Sequence, residues 1–229
     1  MKKQGKLIVI EGTDCSGKET QSKKLVEYIN TNGGKAVMFS FPMYETPTGM
    51  IVGGPYLGKP EICEGFFKEK ATNVDGKVAS LYFAADRLYN STLITDKLKE
   101  GYTVILDRYV ESNMAHQGGK LVTLKDRIKM WKFLEKLEYG LLKLPKPDYV
   151  IFLHMPVEVT IELKKNREAL DEHEKNQTYL KQCEETYLDL AEYYKFDTIS
   201  CAADGKPLSI DEIHNKIVEY YNDVIKEEE

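Results

Sequence analysis

The amino-acid sequence predicts an α/β fold, a mainly parallel sheet of about five strands flanked by helices on both faces. Two observations carry that expectation. Short, continuously apolar runs alternate with longer amphipathic segments along the chain, as they do where strands are covered on both sides. The first run, Leu7-Ile8-Val9-Ile10, opens directly into a glycine-bearing turn and then a helical segment. At 229 residues the chain can bury roughly 70 per cent of its unfolded surface around one core, so residues 1–229 are read as one domain.

Taken in order, a strand is expected over 6–11, a helix over 18–32, a strand over 36–40, a helix over 77–100, a strand over 103–106 and a helix over 125–140. A strand over 149–155 follows, then a helix over 157–169, a second near 174–195, a short strand over 198–200 and a closing helix after Ser209. Gly33-Gly34, Gly101 and Pro145-Lys146-Pro147-Asp148 stop helices where the chain must turn. Ser209 with Glu212 forms a capping box. Within 77–100, Val78, Leu81, Tyr82, Ala85, Leu88, Tyr89 and Thr92 recur at helical spacing and are read as the packing stripe.

Charged residues make up 30% of the chain, interspersed in sign, with a net charge of −5. No large basic field is available for a nucleic-acid polymer, so none is expected as a partner. Cys15, Cys63, Cys183 and Cys201 are scattered without a CxxC pair, which argues against zinc ribbons and disulfide frameworks and for the reducing cytoplasm. The apolar run after Lys2, Lys3 and Lys6 ends at Glu11, too short for a signal-peptide core, and no run reaches membrane-spanning length. No membrane association is expected.

Gly12-Thr13-Asp14-Cys15-Ser16-Gly17-Lys18, between strand and helix, has the form of a phosphate-cradling loop. Its glycines let the backbone turn its N–H groups inward, the helix start adds partial positive charge, and Lys18 reaches outer phosphates. Where the motif wants a hydroxyl for Mg²⁺ the chain has Glu19, with Thr20 one residue later. Glu19 can ligate a hard cation, or it can simply complement the helix dipole.

In open parallel sheets ligands sit beyond the carboxyl ends of the strands. The segments there are Gly12 to Lys18, Phe41-Pro42-Met43-Tyr44 and Asp107-Arg108-Tyr109. Asp107 can hold Mg²⁺ through water or orient an acceptor, and Arg108 can fork onto phosphate oxygens; the alternative is an ion pair closing the strand. Phe83 and Arg87, four apart, can present a ring and a guanidinium to one planar ligand, although such pairs are more often partial core plus a solvated charge. Asn113 and Gln117, on a loop or short helix, offer the donors and acceptors that a nucleobase edge needs, or else satisfy their own backbone. The basic run Leu163-Lys164-Lys165-Asn166-Arg167 before the polar hinge Asp171-Glu172-His173-Glu174 fits a lid near 164–178, or a solvated helix end. Cys15, at a helix start, is a candidate acidified thiol without an evident base.

Together these segments resemble the thymidylate kinases, P-loop nucleoside monophosphate kinases. The resemblance runs through Ile10-Glu11-Gly12-Thr13-Asp14 with Ser16-Gly17-Lys18 and Thr20-Gln21, Phe41-Pro42, and Leu81-Tyr82-Phe83-Ala84-Ala85-Asp86-Arg87. It continues through Asp107-Arg108-Tyr109, Ser112-Asn113, Ala115-His116-Gln117-Gly118-Gly119 and Pro147-Asp148. It implies a P-loop kinase fold with a helical lid and transfer of the γ-phosphoryl of ATP, with Mg²⁺, to dTMP. It implies an ATP site of Gly12, Thr13, Asp14, Cys15, Ser16, Gly17, Lys18 and Thr20, with Lys18 bridging the β- and γ-phosphates. By the same resemblance Asp14 holds the 3′-hydroxyl of the sugar, Phe83 stacks on thymine and Arg87 addresses its edge. Arg108 binds the acceptor phosphate, Asp107 organises Mg²⁺, and Phe41, Pro42, Asn113 and Gln117 line the acceptor pocket. The loop position that carries a cation in some members is Cys15 here, so the lid supplies it, with Arg167 as the choice. A homodimer is implied as well. Three positions depart from the family pattern: Glu19 for a hydroxyl, Tyr44 for an arginine and His116 for an aromatic. They keep another pyrimidine monophosphate open as acceptor, and a non-catalytic nucleotide-binding module as the rival of another class. A GTPase is disfavoured, because no NKxD segment follows.

Overall fold

A computed structural model describes residues 5–164 and 177–226. Five strands, β1 (Leu7–Gly12), β2 (Ala36–Ser40), β3 (Thr103–Asp107), β4 (Tyr149–His154) and β5 (Asp197–Ser200), form one sheet in the order β2-β3-β1-β4-β5. Every neighbouring pair is parallel. The central position of β1, paired to β3 on one side and β4 on the other, puts the ends of three strands side by side. Ile10 lies opposite Asp107 and Gly12 opposite Leu153.

Alternation of side chains along each strand assigns the two faces. Leu7, Val9, Val104, Leu106 and Phe152 point into one core with α3 (Gly76–Lys99), α4 (Val110–Gly118), α5 (Leu124–Leu134) and α7 (Gln177–Tyr194). Its largest fully buried side chain is Trp131 of α5. Ile8, Ile10, Ile105, Ile151 and Leu153 point the other way, against α1 (Lys18–Thr31), α6 (Val157–Lys164) and α8 (Ile210–Tyr220). The expected layers are therefore present. The capping box of Ser209 and Glu212 opens α8, and Gly33 and Gly101 turn the chain at φ +84° and +86°.

Between β2 and α3 lies a segment without strong periodicity, which folds as α2 (Pro47–Ile51), a π-turn (Val52–Tyr56) and a 3₁₀ turn (Ala71–Asn73). Its apolar residues Val52, Tyr56, Ala71 and Val74 make a small third core with Ala79, against which Tyr82 and Phe83 pack. After β5, β6 (Ala202–Ala203) and β7 (Lys206–Pro207) form a short hairpin. Helix α5 passes into a π-turn over Glu135–Leu141, which covers the end of the helix expected over 125–140.

The stripe expected on α3 is corrected. Val78, Leu81, Leu88 and Tyr89 are exposed, as are Ala85 and Thr92, and only Tyr82 is half-buried. The buried face carries Ala79, Ser80, Ala84, Asp86, Arg87, Asn90, Ile94 and Leu98. Polar side chains win this face because each has a partner inside. Asp86, for one, accepts from the backbone N–H of Met43, from Thr48 Oγ1 and from Asn90 Nδ2, at 3.0 Å each, and so ties α3 to the cis Phe41-Pro42 turn.

Candidate active site

The phosphate loop starts where β1 ends. Gly17 at φ +80° sits at the N-cap of α1 without a side-chain cap, which leaves the first-turn N–H groups of that helix to a ligand. Cys15, at φ +60°, holds a left-handed turn that a non-glycine residue adopts only under constraint. Thr13 Oγ1 accepts from Met155 N at 2.8 Å and donates to Met155 O at 2.7 Å, fixing the loop to the end of β4. Lys18 is buried and its Nζ donates to Thr13 O at 2.8 Å. Burial, aided by the neighbouring Arg108, lowers its pKa to about 8, against the pull of Asp14, Asp107 and Glu11. Glu19 and Thr20 are exposed; Glu19 pairs with Lys23 along the helix surface, as a first-turn carboxylate does.

Asp107 and Arg108 emerge at the end of β3 beside this loop. Arg108 has φ +66° and its Nη2 lies 3.7 Å from Asp14 Oδ1. Despite burial, its surroundings, Tyr187, Asp14, Glu11 and Asp107, keep its cation more firmly than in water. Burial raises the pKa of Asp107, with Arg108 and Lys18 opposing. Its Oδ2 has Ser40 Oγ at 3.5 Å, while Oδ1 is buried with no hydrogen-bond partner.

The turn after Arg108 is held by Glu11 at the end of β1. Its Oε1 accepts from the N–H groups of Tyr109 and Ser112 at 2.9 Å each, and its Oε2 from Ser112 Oγ at 2.6 Å and Tyr187 Oη at 2.9 Å. A carboxylate from the central strand thus caps α4, whose own N-cap Tyr109 supplies no side chain. That cap sets where Asn113 and Gln117 point. Asn113 Nδ2 donates to Glu138 Oε1 at 3.1 Å, and Glu138 also takes Arg87 Nε and, at 2.7 Å, Arg87 Nη2. Arg87 Nη1 donates to Tyr109 O at 3.2 Å. Arg87 is therefore a buried, paired cation and not a solvated charge; of the five N–H bonds of its guanidinium, two remain. The oxygens Asn113 Oδ1 and Gln117 Oε1 are buried and have no hydrogen-bond partner.

All the residues expected at an acceptor site line one cleft: Asp14, Phe41, Pro42, Phe83, Arg87, Arg108, Asn113 and Gln117. Lys18 is not in its lining and adjoins it through Thr13, whose backbone oxygen accepts from Lys18 Nζ. Phe83 meets Tyr56 edge-on at 5.6 Å, and Tyr44 stands in the wall with Lys59 Nζ 4.4 Å over its ring. His116 lines it with Tyr179, whose Oη is 2.9 Å from His116 Nδ1. Arg167 and most of the lid expected near 164–178 lie outside the described residues. Residues 10–217 match the family model for thymidylate kinase.

The chain belongs to the thymidylate kinase family.

It is 33% identical to a probable thymidylate kinase of Methanocaldococcus jannaschii over 95% of this chain and 96% of that one. It is 33% identical to the thymidylate kinase of Plasmodium falciparum over 95% of this chain and 90% of that one, and 35% identical to the human enzyme over 67% and 62%. The solved thymidylate kinase of Candida albicans superposes with a TM-score of 0.69 at 25% identity, covering 96% of this chain and 92% of that one. The activity is that of a dTMP kinase, an ATP-dependent phosphotransferase. Glu11, Glu138 and Tyr56 are site groups to which sequence reasoning gave no role, and Lys164, expected within the lid, pairs with Asp14. Glu11 had a signal, a carboxylate ending a fully apolar strand, where an ionised group is stable only with partners.

Proposed function

We propose that this thymidylate kinase seats dTMP in the Phe83 cleft, with its phosphate on Arg108 and the β- and γ-phosphates of ATP on the phosphate loop and Lys18. The observation that carries this reading is the shared cleft, which Phe83, Arg87, Asn113, Gln117, Arg108 and Asp14 line together and which Lys18 adjoins through its bond to Thr13 O. Phe83 offers thymine a face, the two spare N–H bonds of Arg87 suit its O4, and an orphan amide oxygen of Asn113 or Gln117 suits its N3–H. Asp14 receives the 3′-hydroxyl.

An oxygen of the acceptor phosphate attacks the γ-phosphorus, the bond from that phosphorus to the β,γ-bridging oxygen breaks, and ADP leaves with the electron pair. The acceptor is already an anionic nucleophile, so the protein needs only to align the two phosphates and screen their repulsion with Lys18 and Arg108. Arg167 completes the screen from the lid near 164–178 of the single domain spanning 1–229. Mg²⁺ fits the donor present, since Asp107 Oδ1 is a buried carboxylate oxygen with no hydrogen-bond partner among the described residues. Asp107 would hold it, directly or through water, with substrate phosphates as the other ligands; bound there, it would neutralise phosphate charge. A panel of nucleoside monophosphates assayed with ATP and Mg²⁺ tests the reading. dTMP should lead, and Lys18→Ala or Arg108→Ala should lower turnover by ~100-fold or more. Wild-type rates in either variant would refute it. Tyr44 and His116 in the wall favour a second acceptor, another pyrimidine deoxynucleotide, which the same panel would reveal.

The exposed face of α3 supports a homodimer. Leu81 and Tyr89 are 54% and 59% exposed, and Val78 and Leu88 continue the stripe; a self-complementary patch of this kind suits a two-fold interface. Sedimentation of Leu81→Glu/Tyr89→Glu should give a monomer where the parent is a dimer. Among the described residues no helix is long and apolar enough to cross a membrane. None of the four cysteines is in a disulfide, which suits the reducing cytoplasm.

A further inference from the structure

Asp14 is held from three sides by groups that the phosphotransfer scheme above leaves unused or counts elsewhere. Lys164, at the end of α6 and only 5% exposed in its side chain, donates from Nζ to Asp14 Oδ2 at 2.8 Å. One turn earlier, Thr160 Oγ1 donates to the backbone oxygen of Asp14 at 3.0 Å. Among the described residues, Asp14 Oδ1, by contrast, has only the 3.7 Å approach of Arg108 Nη2, which is too long for a hydrogen bond. The carboxylate is thus divided: one oxygen is committed to α6, and the other faces the cleft that Asp14 and Thr160 line together. A buried lysine is costly unless paired, so its place here calls for a function.

We propose that Lys164 is the positioning residue for acceptor-sugar recognition: it pins Asp14 through Oδ2 so that Oδ1 is presented to the 3′-hydroxyl of the incoming nucleotide, and it prevents Asp14 from closing onto Arg108. Both effects follow from one ion pair. Without the Lys164 charge, Asp14 is left with Lys18 and with Arg108, whose Nη2 is already 3.7 Å away, and a full Arg108–carboxylate fork would withdraw that guanidinium from the acceptor phosphate. Holding Asp14 from α6 leaves Arg108 for the phosphate and Oδ1 for the sugar. The inference rests on the proposed seating of the 3′-hydroxyl on Asp14.

The test compares dTMP with its 3′-deoxy analogue as acceptors, using the full-length enzyme with ATP and Mg²⁺, for the parent, Lys164→Met, Lys164→Arg and Asp14→Asn. A hydrogen bond to a charged group changes affinity by ~10- to 100-fold. Lys164→Met should therefore raise the KM for dTMP by about that factor, leave the KM for ATP within about threefold, and lose most of the parent's preference for dTMP over the 3′-deoxy analogue. Lys164→Arg should restore most of that preference. An equal loss with both acceptors, or a matching rise in the KM for ATP, would overturn the positioning role. If Asp14→Asn discriminates between the two acceptors as well as the parent does, the seating of the sugar on Asp14 is itself wrong and the inference falls with it. If Asp14→Asn loses discrimination while Lys164→Met keeps it, only the role of Lys164 fails. Should Lys164→Met fold poorly by its thermal melt, Lys164→Gln, which keeps a donor without the charge, carries the same comparison.

Discussion

Glu138 offers the sharpest test of what holds the acceptor side of the cleft. It is fully buried and accepts from Arg87 Nε, Arg87 Nη2 and Asn113 Nδ2, while Arg87 itself is 2% exposed. Glu138→Ala leaves the guanidinium in the interior without its counter-charge, a change that costs about 3–5 kcal/mol when a buried pair loses one partner. In a domain of this size that corresponds to a fall in Tm of about 6–20 °C. Because Arg87 and Asn113 both line the cleft, loosening their common anchor should also raise the KM for dTMP by ~10-fold, with the KM for ATP unchanged, since among the described residues the carboxylate of Glu138 is hydrogen-bonded to Arg87 and Asn113 and to no residue of the phosphate loop. Glu138→Gln retains the shape and one acceptor oxygen and should fall between the parent and Ala. Urea unfolding and steady-state kinetics on the three proteins read both effects. A loss below about 1 kcal/mol would show that the pair is not carrying the buried charge, and an unchanged KM for dTMP would show that Arg87 and Asn113 do not need Glu138 to read the base.

Two further predictions follow from titratable groups. Burial and Arg108 lower the pKa of Lys18 to about 8, so the free enzyme loses this cation as pH rises through that value. kcat/KM for ATP should fall above pH 8, and a flat profile to pH 9.5 would contradict the placement of Lys18. The same shift means that the unfolded chain binds more protons between the folded value and the ordinary 10.5, so this group adds to stability as pH rises across that window. Glu111, fully buried with its Oε2 unpartnered, is pushed up to about 7 from 4.5 by burial and then by Glu11, against the hydrogen bond from Tyr139. Between pH 4.5 and 7 the folded chain keeps a proton that the unfolded chain has released, so stability falls as pH rises across that window; Glu111→Gln, which keeps the acceptor for Tyr139, should therefore stabilise by about 3 kcal/mol at pH 8 and by much less at pH 5. Equal melting shifts at both pH values would refute the assignment.

The parts of this molecule that could be read from the sequence are those whose physics is local. Continuous apolar runs located β1, β3 and β4, because a strand covered on both faces needs no partner identity to be recognised, and the short strand β5 was placed within one residue although only Ile199 in it is buried. The phosphate loop, the Asp107-Arg108 pair and the Phe83/Arg87 spacing were legible for the same reason: each is a short pattern at a strand end or on one helix face. The reading failed where burial is decided by a distant partner. Helix α3 turned its apolar stripe outward because Asp86, Arg87 and Asn90 have hydrogen-bond partners inside, and hydropathy alone cannot weigh a satisfied polar side chain against a leucine. Glu138 sits 51 positions from Arg87, and Glu11 sits 98 from the N–H of Tyr109; no local spacing announces either. These two carboxylates nonetheless fix the site, one by capping α4 from the central strand and the other by holding Arg87 and Asn113 together. The residues that line the cleft could thus be named in advance, whereas those that hold them became visible only once the sheet had brought β1, β3 and the turn after α5 within hydrogen-bond reach of one another. Substitutions at Glu11 and Glu138 should for that reason disturb acceptor binding as much as substitutions in the residues that line the cleft.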